Sequence, residues 1–348
     1  MKYPKEYLDE IKLRLKVSKI VGKTVKLKRR GKEFIGLSPF TNEKTPSFTV
    51  SDEKGFYHCF SSGEHGNVFD FLMKTQSLKF GDAVRQLASE AGMQPYRFSN
   101  FDLEKDKRYQ IYKNILKDYA VYHHTLIFNK KDTSALSYLE KRGITKEIIS
   151  EFEIGFVPSN SDYYSHLIKK FNEKEILETG LFYKNEKYNR FVNRFYSRII
   201  FPIKNIVGDI IAFGGRIIND NKKTAKYINS PETEFYKKGR HIFNLDKAKV
   251  NTNKQQEVIV VEGYMDVISI YSSGIKNVVS NSGIALTESQ INLIWKFFSS
   301  PIVCLDGDSS GQKAALRIAE NLLPFIKENN KISFVTLPSG LDPDDYIK

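Results

Sequence analysis

The 348-residue chain carries 54 Lys and Arg against 41 Asp and Glu, a formal net charge of +13. That length suits two or three domains with real cores, and no apolar run approaches a membrane span. The opening residues, Met1 to Glu6, lack a signal-type apolar stretch, and Cys59 and Cys304 cannot build a disulfide framework, so a reducing, cytoplasmic setting is expected. The positive charge is bunched. Residues 12–32 hold ten Lys or Arg and no acid, and residues 190–240 hold eleven basic residues against four acidic ones. Such clustering points to a polyanionic partner, nucleic acid or nucleotide phosphate.

In chain order, residues 1–92 read as a small first domain. Residues 4–15 have the spacing of an amphipathic helix. Residues 25–27, 33–36, 47–50 and 55–60 are strand-like and separated by turn formers. Residues 68–74 and 80–91 read as helices. Phe56, Tyr57 and Phe60, with Lys28, Arg29, Arg30 and Lys44, combine aromatic and basic groups of the kind that stacks bases along a single strand. Alternate aromatics in a strand equally describe a core, so each role takes part of the set.

Residues 93–108 break the apolar pattern and read as a linker. Residues 109–128 are helical by spacing, with Ile111, Ile115, Tyr119 and Tyr122 on one face; His123 and His124 read as solvated helix positions. Residues 135–142 and 145–152 form a helix pair around Gly143. Residues 189–240 are the basic stretch. Gly214 and Gly215 there permit close backbone approach, and Arg216 supplies a forked donor for phosphate.

The C-terminal quarter alternates strand and helix, which implies a parallel sheet. Apolar runs at 258–261, 302–305 and 332–337 read as buried strands, and 265–273, 287–299 and 310–328 as helices. Thr287 with Gln290, and Ser309 with Gln312, have capping-box spacing. Every strand leads into acid: Glu262 and Asp266, then Asp306 and Asp308, then Asp342, Asp344 and Asp345. In open α/β sheets the chemistry sits at these carboxyl ends. Acids gathered there repel one another and suit Mg²⁺, which takes a few carboxylates plus substrate phosphates.

The runs E-G-Y-M-D-V at 262–267, D-G-D-S-S-G-Q-K-A-A at 306–315 and D-P-D-D-Y at 342–346 resemble the Toprim domain of bacterial replicative DNA primases of the DnaG type. The resemblance extends over nearly the whole chain. G-L-S-P-F-T-N-E-K-T-P-S-F at 36–48 and G-F-Y-H-C-F-S-S-G-E-H-G at 55–66 resemble the family's zinc ribbon. L-E-K-R-G-I-T at 139–145 and F-E-I-G-F-V-P at 152–158 resemble the start of its catalytic core. R-I-I-F-P-I at 198–203, A-F-G-G-R at 212–216 and K-Y-I-N-S-P-E-T at 226–233 resemble its basic subdomain. The implied fold is multidomain α+β: a zinc-ribbon-like antiparallel sheet with helices over 1–92, a linker over 93–108, the basic subdomain over 109–250, and an α/β Toprim subdomain over 251–348. The family continues beyond such a point into more catalytic domain and a helicase-binding domain, so the chain reads as a fragment.

One departure stands out. The family's ribbon holds zinc through Cys-x2-His and Cys-x2-Cys, and the matching positions here are Ser38, Thr41, Cys59 and Ser62. One thiol remains of four ligands. The expectation is a ribbon without zinc, held by Leu37, Phe40, Phe48, Phe56 and Phe60. His58, beside Cys59, would point to the opposite face.

The resemblance implies a DNA-directed RNA polymerase of replication and the primosome, a nucleotidyltransferase making short RNA primers on single-stranded DNA from ribonucleoside triphosphates. By resemblance Glu262, Asp266, Asp306 and Asp308 are catalytic. Glu262, Asp306, Asp308, Asp342 and Asp344 would hold Mg²⁺ or Mn²⁺, and Arg194, Arg198, Arg216, Lys226 and Lys238 would line the template and nucleotide groove. Replicative helicase is the expected protein partner. Two rival readings stay open: a Toprim strand-cleaving enzyme, which shares the acids, and a non-catalytic binding fragment.

Overall fold

The computed structural model describes residues 3–130, 132–159, 161–186, 189–218, 224–251, 257–283, 285–326 and 330–347. The chain divides into two units, Met1–Asp106 and Lys107–Lys348. In the first, helices α1 (Lys5–Arg14) and α2 (Val17–Val21) precede an antiparallel sheet. Its strands are β1 (Lys28–Arg30), β2 (Glu33–Gly36), β3 (Phe48–Ser51), β4 (Phe56–Cys59) and β5 (His65–Gly66), side by side in that order. Helices α3 (Val68–Thr75) and α4 (Phe80–Glu90) close the core. Asn67 and Asp70 form a reciprocal capping box that starts α3.

Alternation along β4 decides which aromatics are core. Tyr57 and Cys59 face inward, while Phe56 and His58 face outward. Tyr57 stacks on Phe48 at 5.3 Å and meets Phe71 edge-on at 5.6 Å. Phe40 packs on the same cluster. Three of the five residues expected to hold the ribbon do not: Leu37 is 46%, Phe56 37% and Phe60 70% exposed. The aromatic and basic residues thus separate, with Tyr57 in the core and Phe56, Phe60 and all of β1 facing solvent.

The stretch 93–108, expected as a linker, is mostly structured. Met93, Tyr96 and Phe98 pack on the first unit's core, and Gln94 accepts the Tyr7 hydroxyl at 2.8 Å. Ser99 and Asp102 cap each other, and helix α5 (Asn100–Ile127) starts there, across the boundary between the units. His123 is not solvated: it is fully buried beneath Tyr119 and Tyr163.

In the second unit, α6 (Ser134–Lys141) and α7 (Lys146–Glu151) lead to β6 (Gly155–Val157). Short helices α8 (Tyr163–Leu167) and α9 (Glu173–Glu178) and a hairpin, β7 (Phe182–Asn185) with β8 (Arg190–Asn193), follow. Strands β9 (Arg198–Lys204), β10 (Ile210–Ile217) and β11 (Tyr227–Asn229) complete an antiparallel sheet ordered β11-β10-β9-β6. Helix α10 (Leu245–Ala248) leads to the parallel sheet of β12 (Glu257–Val261), β13 (Val278–Ser280), β14 (Ser300–Leu305) and β15 (Ser333–Thr336). Helices α11 (Tyr264–Ser272), α12 (Glu288–Ile294), α13 (Ser309–Leu322) and α14 (Pro343–Ile347) connect and end it. The expected helix end at Glu328 lies outside the described residues.

The parallel order is β13-β12-β14-β15. The chain leaves β12 toward β13 on one side and leaves β14 toward β15 on the other. A topological switch point therefore lies between β12 and β14, where such sheets open a crevice at their carboxyl ends. Glu262 and Asp306 directly follow those two strands.

Candidate active site

Two glycines set how closely the walls of this crevice approach. A Cβ at Gly307 would run into the carbonyls of Leu337 and Pro338. Only glycine lets the turn after β14 lie against the turn after β15, which brings Asp306 beside Asp342. A Cβ at Gly214 would strike the Tyr264 ring, so the bare β10 backbone receives the first residue of α11. Gly214 and Gly215 make room for Tyr264 and Phe195, not for a ligand's phosphate. Asn229 ties the same walls. It accepts the Tyr264 hydroxyl at 2.6 Å and donates to the Ser282 carbonyl at 3.0 Å.

The resulting cleft has a volume of about 640 Å³. Its lining brings together Glu262, Asp266, Asp306, Asp342 and Asp344 with Arg142, Arg216, Lys226 and Lys238. Burial pushes the Asp266 carboxyl up to about 7, with repulsion from Asp342, Asp306 and Asp344 adding to it and a hydrogen bond from the Gly263 N–H at 2.9 Å opposing. Glu262 is raised by burial and then by Asp306 and Asp308. Asp306 is raised by burial and then by Asp342, Asp308 and Asp345. Carboxyls that hinder one another's ionisation are a donor set suited to a hard divalent cation. Oxygens of Asp342, Asp344 and Asp345 lie within 4.8 Å of one another, which adds Asp345 to the candidate ligands.

Asp308 has a second job. It, not Ser309, caps α13, with Oδ1 accepting the Gly311 N–H at 2.7 Å. The Thr287–Gln290 capping box forms as its spacing predicts. Asp344 is buried, accepts the Ser269 hydroxyl and pairs with Arg142 at 3.4 Å.

The five basic candidates divide. Arg216, Lys226 and Lys238 line the cleft. Arg198 does not: it is buried, and its guanidinium donates to the carbonyls of Ala225 (2.8 Å) and Lys226 (3.2 Å), holding the backbone that carries Lys226. Arg194 donates to the Gly180 carbonyl at 2.9 Å and lies over the Tyr183 ring, outside the cleft lining. Charge density alone does not separate these roles, since a guanidinium serves backbone carbonyls as readily as phosphates. Arg142 and Asn229 were not singled out as site residues, although both sit within the motif runs.

In the first unit, Cys59 is buried among hydroxyls. Its thiol donates to Ser38 Oγ at 3.1 Å and meets Ser61 Oγ at 3.3 Å, and Ser61 bonds Thr41 Oγ1 at 2.8 Å. Burial pushes this thiol up, but hydrogen bonds with Ser38, Ser61 and Ser62 outweigh it and bring it to about 7. Ser61, absent from the expected ligand positions, is the hub; the Ser62 hydroxyl accepts the Glu64 N–H at 3.2 Å. His65 bonds the Gly63 carbonyl, and His58 packs on Phe60, on the face away from Cys59. One thiol with neutral hydroxyls does not fit zinc, which draws on thiolate and imidazole.

Three family models match the chain: the CHC2 zinc finger over residues 3–101, the N-terminal domain of the DNA primase catalytic core over 122–249, and a Toprim-like domain over 259–347. The DNA primase of Haemophilus influenzae is 36% identical over 355 residues, covering 99% of this chain and 58% of that protein. That of Halalkalibacterium halodurans is 37% identical, covering 99% of this chain and 57% of that protein. The chain thus spans less than two thirds of these relatives. A crystal structure of the Aquifex aeolicus primase zinc-binding and RNA polymerase domains aligns with a TM-score of 0.63 and 30% identity, covering 98% of this chain and 81% of that one. A DnaG primase catalytic domain bound to single-stranded DNA aligns at 0.64 with 33% identity, covering 69% and 74%.

Proposed function

Because this chain belongs to the DnaG family of bacterial DNA primases, we propose that its cleft performs nucleotidyl transfer in the synthesis of RNA primers on single-stranded DNA. The observation that carries the reading is that five carboxylates and four basic side chains line one cleft of about 640 Å³ at the switch point. Glu262, Asp306, Asp308, Asp342 and Asp344, with Asp345, are the residues that would hold Mg²⁺ or Mn²⁺. Bound there, the metal supplies activation of a 3′-hydroxyl and neutralisation of triphosphate charge.

The chain's own residues do the positioning. Arg216, Lys226 and Lys238, joined by Arg142, orient the phosphates and stabilise charge as it develops on them. Arg198 acts one step back by fixing the Lys226 backbone. Asp266 holds the Gly263 N–H and with it the start of α11, so its part is to shape the turn that presents Glu262.

Template strand and ribonucleoside triphosphates are the proposed partners, and replicative helicase that of the longer protein. The proposed setting is the cytoplasm; no described helix is long and apolar enough to cross a membrane. The first unit is proposed to keep its ribbon without zinc. The reading is tested by supplying single-stranded DNA, Mg²⁺ and labelled ribonucleotides: labelled oligomers are expected. Nicked or relaxed plasmid without oligomers would establish the strand-cleaving alternative instead.

A further inference from the structure

Tyr138 touches two of the basic residues that line the cleft and is not itself part of that lining. It stands four residues before Arg142 at the end of α6, the spacing that brings helical neighbours together. The Arg142 guanidinium lies 5.5 Å from the Tyr138 ring centre, and the Arg216 guanidinium, arriving from β10, lies 5.3 Å from the same centre. Both fall inside the cation–π range of about 6 Å. Arg216 also lies 4.8 Å from the Tyr227 ring and donates to its hydroxyl. Arg216 is only 6% exposed, yet its Nε has no partner among the described residues; the buried Tyr138 hydroxyl has none either. A buried charged donor without an acceptor is costly unless something arrives to accept from it. The cleft that Arg216 lines is where an acceptor would enter.

We propose that Tyr138 is a positioning residue: its ring face holds the guanidiniums of Arg142 and Arg216 at the cleft so that both meet the phosphates of an incoming ribonucleoside triphosphate. The inference rests on the reading of the cleft given above. Two free guanidiniums side by side repel and sample many rotamers. Gathered on one electron-rich ring, each gains the ring's quadrupole and is held in one place, Arg142 also by Asp344 at 3.4 Å and Arg216 also by the Tyr227 hydroxyl, with the Arg216 Nε left to meet a ligand. Forks so fixed match phosphate oxygens two at a time. The hydroxyl of Tyr138 makes no bond, so the ring face, not the phenol, carries the role.

The test titrates Mg²⁺-ATP and Mg²⁺-tripolyphosphate into the 348-residue chain and into Tyr138→Phe and Tyr138→Leu. Phe keeps the face and should bind both probes within about twofold of wild type. Leu keeps apolar bulk but loses the face, and should bind both roughly tenfold more weakly. In primer synthesis the same change should raise the nucleotide KM and also lower kcat, because the two guanidiniums stabilise developing charge as well as bind, while the KM for the DNA template stays near wild type, a split that general loosening of the fold would not give. Where Leu does not fold, a fluorinated phenylalanine series at 138 keeps the shape and drains the ring face; affinity should then fall with each fluorine. Wild-type affinity in the Leu variant, or a flat fluorine series, overturns the role of Tyr138. Phe binding as weakly as Leu overturns it too, since the hydroxyl would then be the active part. A wild-type chain with no affinity for either probe overturns the reading of the cleft, and this inference with it.

Discussion

Asp308 serves charge and backbone at once, and substitutions separate the two. Asn caps almost as well as Asp, so Asp308→Asn should leave the thermal midpoint without Mg²⁺ unchanged or slightly raised, because repulsion with Glu262 and Asp306 is relieved. It should abolish Mg²⁺-dependent ribonucleotide incorporation. Asp308→Ala also loses the Gly311 bond, at a cost of about 0.5–2 kcal/mol. Melts with and without Mg²⁺, beside incorporation assays, check both; normal priming by either variant removes Asp308 from the metal site. Asp266 gives a pH signature. Its folded pKa of about 7 lies above its unfolded value, so the folded state holds the extra proton. Stability from this group is greatest at low pH and is lost as pH rises from the unfolded pKa through about 7. Asp266→Asn should flatten that window in metal-free melts between pH 5 and 8; an unchanged slope would mean that Asp266 does not titrate there. The acids themselves were legible because each follows an apolar β-branched run. Asp308's cap was not, since Ser309 and Gln312 offered an equally good capping spacing one residue on. The burial of His123 was hidden too, because helical spacing does not reveal how many sides of a helix are covered.

At the scale of elements, the ribbon keeps its strands although three of the four expected ligand positions carry hydroxyls. Purified protein should contain far less than one equivalent of zinc and should not unfold on adding chelator; elemental analysis and melts with chelator decide it, and stoichiometric zinc would refute the expectation. Ser61→Gly, which removes the hub between Cys59 and Thr41, should lower stability by roughly 0.5–1.5 kcal/mol, the worth of an ordinary hydrogen bond. Denaturant titration measures it. Most helices and strands of this unit were readable from turn formers and apolar spacing. In the second unit strand β13 was not, since three residues carry no period. The start of α5 was marked by Ser99 and Asp102, a capping box concealed by the charged run that follows it.

For the whole molecule, the surplus of +13 makes salt the natural probe. If Arg216 meets phosphate, Arg216→Ala should weaken single-stranded DNA or nucleotide binding and lower the salt slope by about one unit. Arg198→Ala should instead cost stability, about 1–3 kcal/mol, because the carbonyls of Ala225 and Lys226 lose a charged donor. Binding isotherms at several salt concentrations, paired with melts, distinguish the two arginines. The alternation of strand and helix made the parallel sheet legible, and the basic stretch 190–240 holds Arg216, Lys226 and Lys238 of the cleft lining. The approach of the antiparallel sheet to the parallel one was not readable, because it depends on Gly214 admitting a ring and Asn229 reaching across two sheets.

The strand order also has a kinetic side. Ile259 pairs with Val278 on one edge but with Ile302 on the other. During synthesis β12 therefore emerges with one edge of unpaired N–H and C=O groups that stays open until the chain reaches β14. At roughly 5–20 residues per second that wait lasts seconds, long compared with the collapse of small chains. Nascent chains stalled before Ser300 should bind chaperones or aggregate, while those stalled well past Leu305 should resist protease. The order that opens the crevice between β12 and β14 is thus the same order that makes this domain slow to close.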